Sequence, residues 1–555
     1  MSNVGAVLEI ENEALQTRID PRTLRVDLRD RSGALVLEGL RPALAGDTGA
    51  ALPARGARVH AVGEVKGGAG SATRVEMQVW ERGGIGLRWI LEIPRDEPGL
   101  AASLCVENRG KQAIRLHALH PLSIEASEGT LISLARPVTS ERLSLTENPS
   151  GGEPLESLLL LDLGGDRCGL FGFTTARLAW TRWEFESRGS QATRLRAVNA
   201  LGGRTLPPGG VAESDRAWLA VGPARGELLT DWARRTGLEM DSRVPRRGAA
   251  TWSPPRRSDR LQGLHRDGIR VIEGKAATDV PSYRSRLSRA REQLEPGALL
   301  VASGAPFGAS VGIADARGVD RSAPPGARDL DLAFTNQRLW LLAPGPLRVA
   351  DGSLAQARTR ASIAGLAGGL LTLADDIDAL CDERFAILRR ILPPLAREAE
   401  VPPAKGILVT PLVAGRLAVL LLNPGAEPAD LALPFRVLGR RGPFHGFDFW
   451  ENEPLGLLQD GIPARGVDSG GCRVVGLTPP SDRVQVIGSS LHIGMGTLEI
   501  ASLRPLPRSG HVLSLRLPGT HRGDVWITEP GSTTARRVAV AFSDSARIEV
   551  GPATR

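Results

Sequence analysis

Apolar and polar residues alternate with a period of two through the first part of the chain, for example over residues 24–28 and 75–79. This alternation predicts β-strands with one buried face. The predicted strands run from Val7 to about Trp218, with glycine-rich turns between them. Some ~200 residues of antiparallel strand can bury their apolar faces only as two packed sheets, so we expect a large N-terminal β-sandwich.

The pattern changes beyond Trp218. A short helix is predicted at 227–235, and a stretch rich in proline and arginine follows it. Continuous apolar runs then alternate with amphipathic segments, which is typical of parallel strands connected by helices. The predicted strands are 268–273, 298–304 and 370–373, and the predicted helices are 283–294, 353–366 and 378–392.

Strand patterns return from Ile407 to the end of the chain and predict a C-terminal β-sandwich with additional strands. The predicted fold class is therefore multidomain and mainly β, with a central α/β part. We place an N-terminal β-sandwich domain at 1–240, a truncated (β/α)-barrel remnant at 241–400 and the C-terminal sandwich at 401–555. A length of 555 residues agrees with several domains.

Composition narrows the class of protein. The chain is 42% hydrophobic and 24% charged, which excludes disordered and fibrous classes. Cys105, Cys168, Cys381 and Cys472 are widely spaced, so neither a disulfide framework nor a thiolate metal site is expected. The sequence carries no nucleotide-binding glycine motif, so we expect no cofactor.

Charge and targeting patterns exclude further partners. The net charge is +7, but the lysines are only Lys66, Lys111, Lys275 and Lys405, and the remaining basic residues are arginines, which stand against 62 acidic residues. We therefore expect no nucleic-acid partner. No leader pattern opens the sequence, and the apolar runs fall far short of the ~20 residues that a membrane helix needs. A cytoplasmic location without a membrane partner is the expectation.

Several motifs appear in the order found in a known family. They are LLTDWARRTGLEM, LLVASGAPF, ASIAGLAGGLLTLADDIDALCDERFAILRRILPP, FHGFDFWENEPLG and SSLHIGMGTLEI. With these motifs the chain resembles the melibiase-type α-galactosidases of glycoside hydrolase family 36 and the raffinose-synthase-like proteins. The resemblance implies a β-sandwich, a (β/α)8 barrel and a second β-sandwich, in that order.

The barrel region is short for that family. Residues 252–394 number about 140, whereas a (β/α)8 barrel takes ~250 residues. The family's entry strand survives only as Ala250-Thr251-Trp252-Ser253, and the segment that follows already resembles the fourth strand. We therefore expect strands one to three to be missing and about five parallel strands to remain, with the open sheet edge covered by the N-terminal sandwich or in a homo-oligomer.

The resemblance also implies where catalytic residues would lie. A retaining glycosidase uses two carboxyl groups, and the family's nucleophile would fall on Lys275, with Glu273 in place of a substrate-binding lysine. Glu273 and Lys275 are two apart on one strand and face the same side, so they can form a structural pair. The family's acid/base would correspond to Asp320. The alternative interpretation is that Asp320 is a loop aspartate beside Arg321 without a catalytic role.

Other candidate sites are substrate-binding positions. Trp252 and Trp340 are candidate sugar platforms, together with Trp450. Asp375 and Asp376 match the aspartate pair of the family's eighth strand, but they also suit a helix N-terminus. His117 and His120 are three apart in a strand, so they face opposite sides and are not expected to bind a metal together. His492 is expected in a structural turn.

The function predicted from these residues is that of a degenerate α-galactosidase-like protein without glycosidase activity, which recognises α-galactoside-type carbohydrate or builds an assembly. One alternative is an active α-galactoside hydrolase that uses Asp320 and a displaced carboxylate such as Glu273 or Asp279. Another is a structural scaffold with no sugar affinity. Whether the protein is an enzyme is left open by the sequence.

Overall fold

The computed structural model describes residues 6–46, 58–67, 70–80, 84–125, 140–146, 156–164, 167–188, 191–245, 248–252, 269–273, 279–303, 306–318, 324–401, 404–507 and 509–551. The chain forms two compact units. The first comprises Met1–Ser242, Gly274–Glu292 and Ala305–Ile313, and the second comprises Arg243–Glu273, Gln293–Gly304 and Ala314–Arg555. The domain boundaries near residues 240 and 400 stay predictions.

The first unit contains sixteen described strands and three helices. The strands are β1 (Leu8–Glu11), β2 (Leu15–Asp20), β3 (Arg25–Asp30), β4 (Leu35–Gly46), β5 (Arg58–Gly67), β6 (Gly70–Trp80), β7 (Ile85–Pro94), β8 (Gly99–Asn108), β9 (Ile114–Glu125), β10 (Ser140–Thr146), β11 (Glu156–Gly164), β12 (Arg167–Phe173), β13 (Trp180–Arg188), β14 (Gln191–Leu206), β15 (Val211–Glu213) and β16 (Ala217–Gly222). The helices are α1 (Arg225–Glu239), α2 (Val280–Glu292) and α3 (Phe307–Ser310).

These strands form the predicted N-terminal sandwich. One sheet has the order β1-β2-β3-β4-β9-β14-β13, and the other has the order β10-β11-β12-β16-β8-β7-β6-β5 with β15 beside β8. Alternate residues of both sheets fill one apolar core. The buried Trp89 in the second sheet donates its indole N–H to Pro121 O in the first (2.8 Å), and Trp183 in the first donates to Gly172 O in the second (3.0 Å). The large buried rings thereby keep their polar atoms bonded.

The central part of the second unit contains parallel strands. They are β17 (Ala249–Trp252), β18 (Ile269–Glu273), β19 (Leu299–Ser303), β20 (Ala316–Gly318), β21 (Leu341–Ala343) and β22 (Leu370–Leu373). The helices are α4 (Ala327–Leu332), α5 (Leu354–Ala367) and α6 (Asp382–Arg389). β18 to β21 form one sheet in chain order, and β17 pairs with β22.

The number of parallel strands corrects one expectation. Six are described rather than five, because the entry segment Ala249–Trp252 is a strand that pairs in parallel with the last one, β22. The expected loss of strand one is therefore wrong. The expectation for strands two and three concerns residues 253–268, which lie outside the described residues.

The C-terminal part consists of strands, as predicted, and they pair antiparallel. They are β23 (Ile407–Pro411), β24 (Leu417–Leu422), β25 (Ala429–Pro434), β26 (Phe444–Asp448), β27 (Glu453–Leu458), β28 (Gly461–Val467), β29 (Cys472–Thr478), β30 (Gln485–Ser489), β31 (Ile500–Pro505), β32 (His511–Thr528) and β33 (Arg536–Val550). The sheet β23-β24-β29-β26-β27 packs its apolar side chains with those of the pair β25-β28 in one core. β30 to β33 form the further sheet.

Candidate functional site

The carboxyl ends of the parallel strands define the candidate site. The register of β18 to β21 places Glu273, Ser303, Gly318 and Ala343 side by side. In the second pair, Trp252 lies opposite Leu373. We call these six positions the strand-end row. Parallel α/β sheets carry their catalytic and binding groups at this edge, because several strands end there together.

Small and apolar residues occupy most of the strand-end row. Ser303 is buried, and a Cβ on Gly318 would lie 3.0 Å from the Ser303 hydroxyl oxygen. Ala343 is also buried, at the end of the apolar strand β21. A polar side chain at position 318 would therefore have to displace Ser303. The row carries one carboxylate position, Glu273, at its β18 end.

The residues proposed for catalysis stay predictions. Lys275 and Asp320 both lie outside the described residues. Glu273 and Trp252 are placed by their backbones at the ends of β18 and β17. The sheet register puts Glu273 beside Ser303, so this part of the row combines a carboxylate position with a hydroxyl.

Trp340 is fully buried just before β21. The guanidinium of Arg317, itself buried, lies 5.7 Å from the centroid of the Trp340 ring. Leu341 and Leu342 are fully buried too. The ring thus contributes to the packing of this segment and presents no exposed face to a sugar in this conformation.

Asp375 and Asp376 differ in what they contact. The Asp375 carboxylate accepts hydrogen bonds from the backbone N–H groups of Val349 (2.6 Å) and Ala350 (3.1 Å). Burial raises the pKa of Asp375, and these two hydrogen bonds oppose the rise. Asp376 is exposed at the start of a short 3-10 helix and makes no side-chain cap there. Asp375 therefore fastens the segment after β21 to the end of β22.

Asn336 positions β21, and the sequence reasoning did not single it out. Its side chain accepts a hydrogen bond from Leu342 N (2.9 Å) and donates one to Arg397 O (2.8 Å), and the residue is fully buried. The signal was the polar segment TNQR, which directly precedes an apolar run. Such a segment is a place where a short amide side chain substitutes for backbone partners.

The N-terminal unit holds an open cleft of about 490 Å³, which the sequence analysis did not foresee. Its acidic lining residues are Glu13, Asp96, Glu97, Glu227 and Asp231.

At the cleft, the buried Arg235 pairs with Glu97 and with Glu239 (2.8 Å), and its guanidinium lies 4.3 Å from the Trp218 ring centroid. Burial raises the pKa of Glu97, while Arg235 opposes the rise. Two partners thus neutralise the buried cation, and the cleft surface is acidic.

The histidines have structural environments. His117 is exposed and His120 is buried, as the spacing predicts. His492 is fully buried in a turn, where its ring bonds to Pro393 O (2.9 Å) and accepts from Gly494 N (2.9 Å). Within the described ranges, no three histidine, cysteine or carboxylate side chains come together as a metal site would require. In the same ranges no helix has the length and apolar character to cross a membrane.

Comparisons with known proteins agree with the architecture. A scan against protein-family models and a search of curated protein sequences found no match. Among solved structures, a variant of a glycoside hydrolase family 97 enzyme from Pseudoalteromonas sp. strain K8 matches with a TM-score of 0.50 at 8% identity, over 85% of this chain and 100% of that one.

Two further structures match a smaller part of the chain. A family 27 β-L-arabinopyranosidase from Geobacillus stearothermophilus matches with a TM-score of 0.34 at 12% identity, over 39% of this chain and 59% of that one. The α-galactosidase I from Mortierella vinacea matches with a TM-score of 0.33 at 14% identity, over 38% and 68%. The chain thus spans less than two thirds of the arabinopyranosidase. The chain has a glycosidase-like fold, built from several domains and mainly β.

Proposed function

We propose that this protein is an α-galactosidase-like member of the glycosidase-like fold that recognises carbohydrate without hydrolysing it. The supporting observation is the composition of the strand-end row. Glu273 is the one carboxylate among its six positions, and the others are Trp252, Ser303, Gly318, Ala343 and Leu373. The proposed activity class follows from the resemblance of the motifs to the α-galactosidases.

Retaining hydrolysis needs two carboxyl groups ~5–5.5 Å apart, one as nucleophile and one as acid/base. Asp375 does not offer the second, because its oxygens accept the backbone N–H groups of Val349 and Ala350. A lone general acid at Asp320 would contribute about 10²–10⁴-fold. That is small beside the ~10⁶–10¹⁷-fold that enzymes provide.

Recognition is supported by the polar end of the row. The register places the Glu273 position beside the Ser303 hydroxyl. A carboxylate at the end of a parallel sheet can bond sugar hydroxyl groups, and the buried Ser303 keeps the neighbouring position small. We therefore propose an α-galactoside-type sugar as the ligand of this edge.

The test of inactivity compares the parent protein with Asp320→Asn on an aryl α-galactoside from about pH 4 to 8. Neither should release the aryl group above the buffer rate. Lys275→Asp should not restore turnover, because Ala343 and the other apolar strand ends supply no ligands. A parent rate well above background that disappears in Asp320→Asn would establish the active-hydrolase alternative instead.

The test of recognition is calorimetric titration of the parent with methyl α-galactoside. We expect binding that Glu273→Gln weakens at least several-fold. The matched control is Glu295→Gln, which alters an exposed carboxylate before β19 and should bind as the parent does. Absence of binding by the parent would leave the scaffold alternative.

A further inference from the structure

Trp526 lies in β32 between two different neighbours. Gly488 of β30 faces it on one side and Arg537 of β33 on the other. The adjacent residues Val525 and Ile527 are buried in the apolar core of this sheet. Because successive side chains of a strand alternate, Trp526 projects from the opposite face. There it is partly buried against the apolar cluster that includes Phe447 and Trp450.

This face changes from covered to open across the three strands. A Cβ on Gly488 would lie 2.2 Å from the Phe447 ring, so that side is covered. On the other side, the Arg537 side chain is 61% exposed, and Ala539, which faces Asp524 across the strands, is exposed as well. Trp526 therefore stands at the border, with a small residue and an exposed guanidinium on its open side.

A chain of hydrogen bonds fixes this border. The indole N–H of Trp526 donates to Asn452 Oδ1 (3.3 Å), and Asn452 Nδ2 donates to Asp524 Oδ2 (2.8 Å). Arg537 Nε lies 2.8 Å from Asp524 Oδ1. Asn452 has a φ of +56°, a conformation that asparagine tolerates better than most residues. The ring, an amide, a carboxylate and a guanidinium are thus held together.

A purely structural brace would explain the inner part of this arrangement, the half-buried Asn452 with the buried Asp524. It does not require a guanidinium that is mostly in water or a short, exposed residue at position 539, opposite Asp524. An aromatic face bordered by planar hydrogen-bonding groups suits a pyranose ring, whose C–H face is apolar and whose hydroxyl groups lie around its edge.

We propose that Asn452, Asp524, Trp526, Arg537 and Ala539 form a second carbohydrate-binding surface, the Trp526 ledge, which takes a neutral polysaccharide chain. It lies on the C-terminal sheet, away in sequence from the strand-end row. The ligand class proposed for the ledge rests on the proposed function. The choice of the ledge residues rests on the contacts described above.

The test is affinity electrophoresis of the full chain in native gels that contain guar galactomannan, compared with gels that lack it. We expect retardation of the parent, and about tenfold weaker binding for Trp526→Ala, as for a hot-spot aromatic residue. Arg537→Ala should weaken binding several-fold. Arg547→Ala, which removes another exposed arginine of β33, is the matched control and should migrate as the parent does.

Ala539→Gln keeps the test valid if Trp526→Ala fails to fold. This change adds bulk on the exposed side of the ledge without removing a buried group, so it should reduce retardation while circular dichroism stays unchanged. Equal retardation of the parent, Arg537→Ala and Ala539→Gln would overturn the proposal, and so would a parent that is not retarded.

Glu273→Gln separates this proposal from the proposed function. If Glu273→Gln loses methyl α-galactoside yet keeps full retardation, both sites stand independently. If the ledge variants are retarded like the parent while Glu273→Gln is not, the ledge fails and the strand-end site survives.

Discussion

His120 should make the N-terminal sandwich sensitive to acid. The residue lies in β9 with 5% of its surface exposed, and its Nδ1 is 3.1 Å from Ala197 O in β14. Burial lowers the pKa of His120 to about 4; the bond to Ala197 opposes this, while the charges of Arg196 and Arg182 add to it. The fold therefore holds the ring neutral where an unfolded histidine would be protonated.

The sign and size follow from the two pKa values. Above pH 6.5 the ring is neutral in both states, so stability is complete. Between pH 6.5 and about 4 the unfolded chain binds the proton and the folded chain does not, so the free energy of unfolding decreases as the pH is lowered. Each pH unit is worth about 1.4 kcal/mol, so the loss from this one group approaches ~3 kcal/mol at about pH 4.

The assay follows peroxide oxidation of Met77 against urea concentration, because Met77 is fully buried in the core of this sandwich. His120→Gln keeps a donor for Ala197 O but cannot titrate. Its free energy of unfolding should fall by ~3 kcal/mol less than that of the parent between pH 7 and 4. His117→Gln, at an exposed position of the same strand, should follow the parent. Equal losses in the parent and in His120→Gln would refute the reasoning.

Three further predictions follow from the second unit. Trp340→Ala should lower its free energy of unfolding by ~3–5 kcal/mol in urea titrations, since a fully buried ring is lost; a loss below ~1 kcal/mol would contradict this packing role. In the same urea titrations, Asp375→Ala should lower the free energy of unfolding by ~1–3 kcal/mol, because Val349 N and Ala350 N lose their acceptor, whereas the exposed Asp376→Ala should be near neutral; equal effects would refute the distinction. β18 pairs on one side only within the described residues, so light scattering should give a mass of at least twice 58.9 kDa, and a monomer would contradict coverage by a second copy.

The period of the hydrophobic residues predicted the helices and strands, because the residues on the buried face of such an element recur with its own period. The helix expected at 353–366 is Leu354–Ala367, begun by Ser353, whose hydroxyl accepts from Gln356 N. The strand expected at 370–373 is β22. The helix expected at 378–392 is shorter, Asp382–Arg389, because a separate 3-10 turn, Ile377–Ala379, precedes it and the chain exits the helix after Arg389.

Contacts between distant residues account for what the sequence left undetermined. The partners of Asp375 lie about 25 residues earlier, and no local pattern identifies them. The burial of Trp340 was more accessible to sequence reasoning, because a continuous run of leucines around it is typical of a strand buried on both faces. The prediction of Trp340 as a sugar platform relied on the corresponding position in the resembled family and gave less weight to this run of leucines.

Binding and catalytic sites are where a chain departs from the rules that stabilise its fold. The end of β21 obeys those rules, since Leu342 and Ala343 are buried apolar residues in a parallel strand. The turn before β27 departs from them: Asn452 takes a positive φ, and its amide joins a tryptophan to a carboxylate at an exposed edge. Because packed apolar residues occupy the β21 end, sugar affinity at the strand-end row depends on its Glu273 end. The Trp526 ledge is a second place to measure sugar affinity, and its residues are independent of that row.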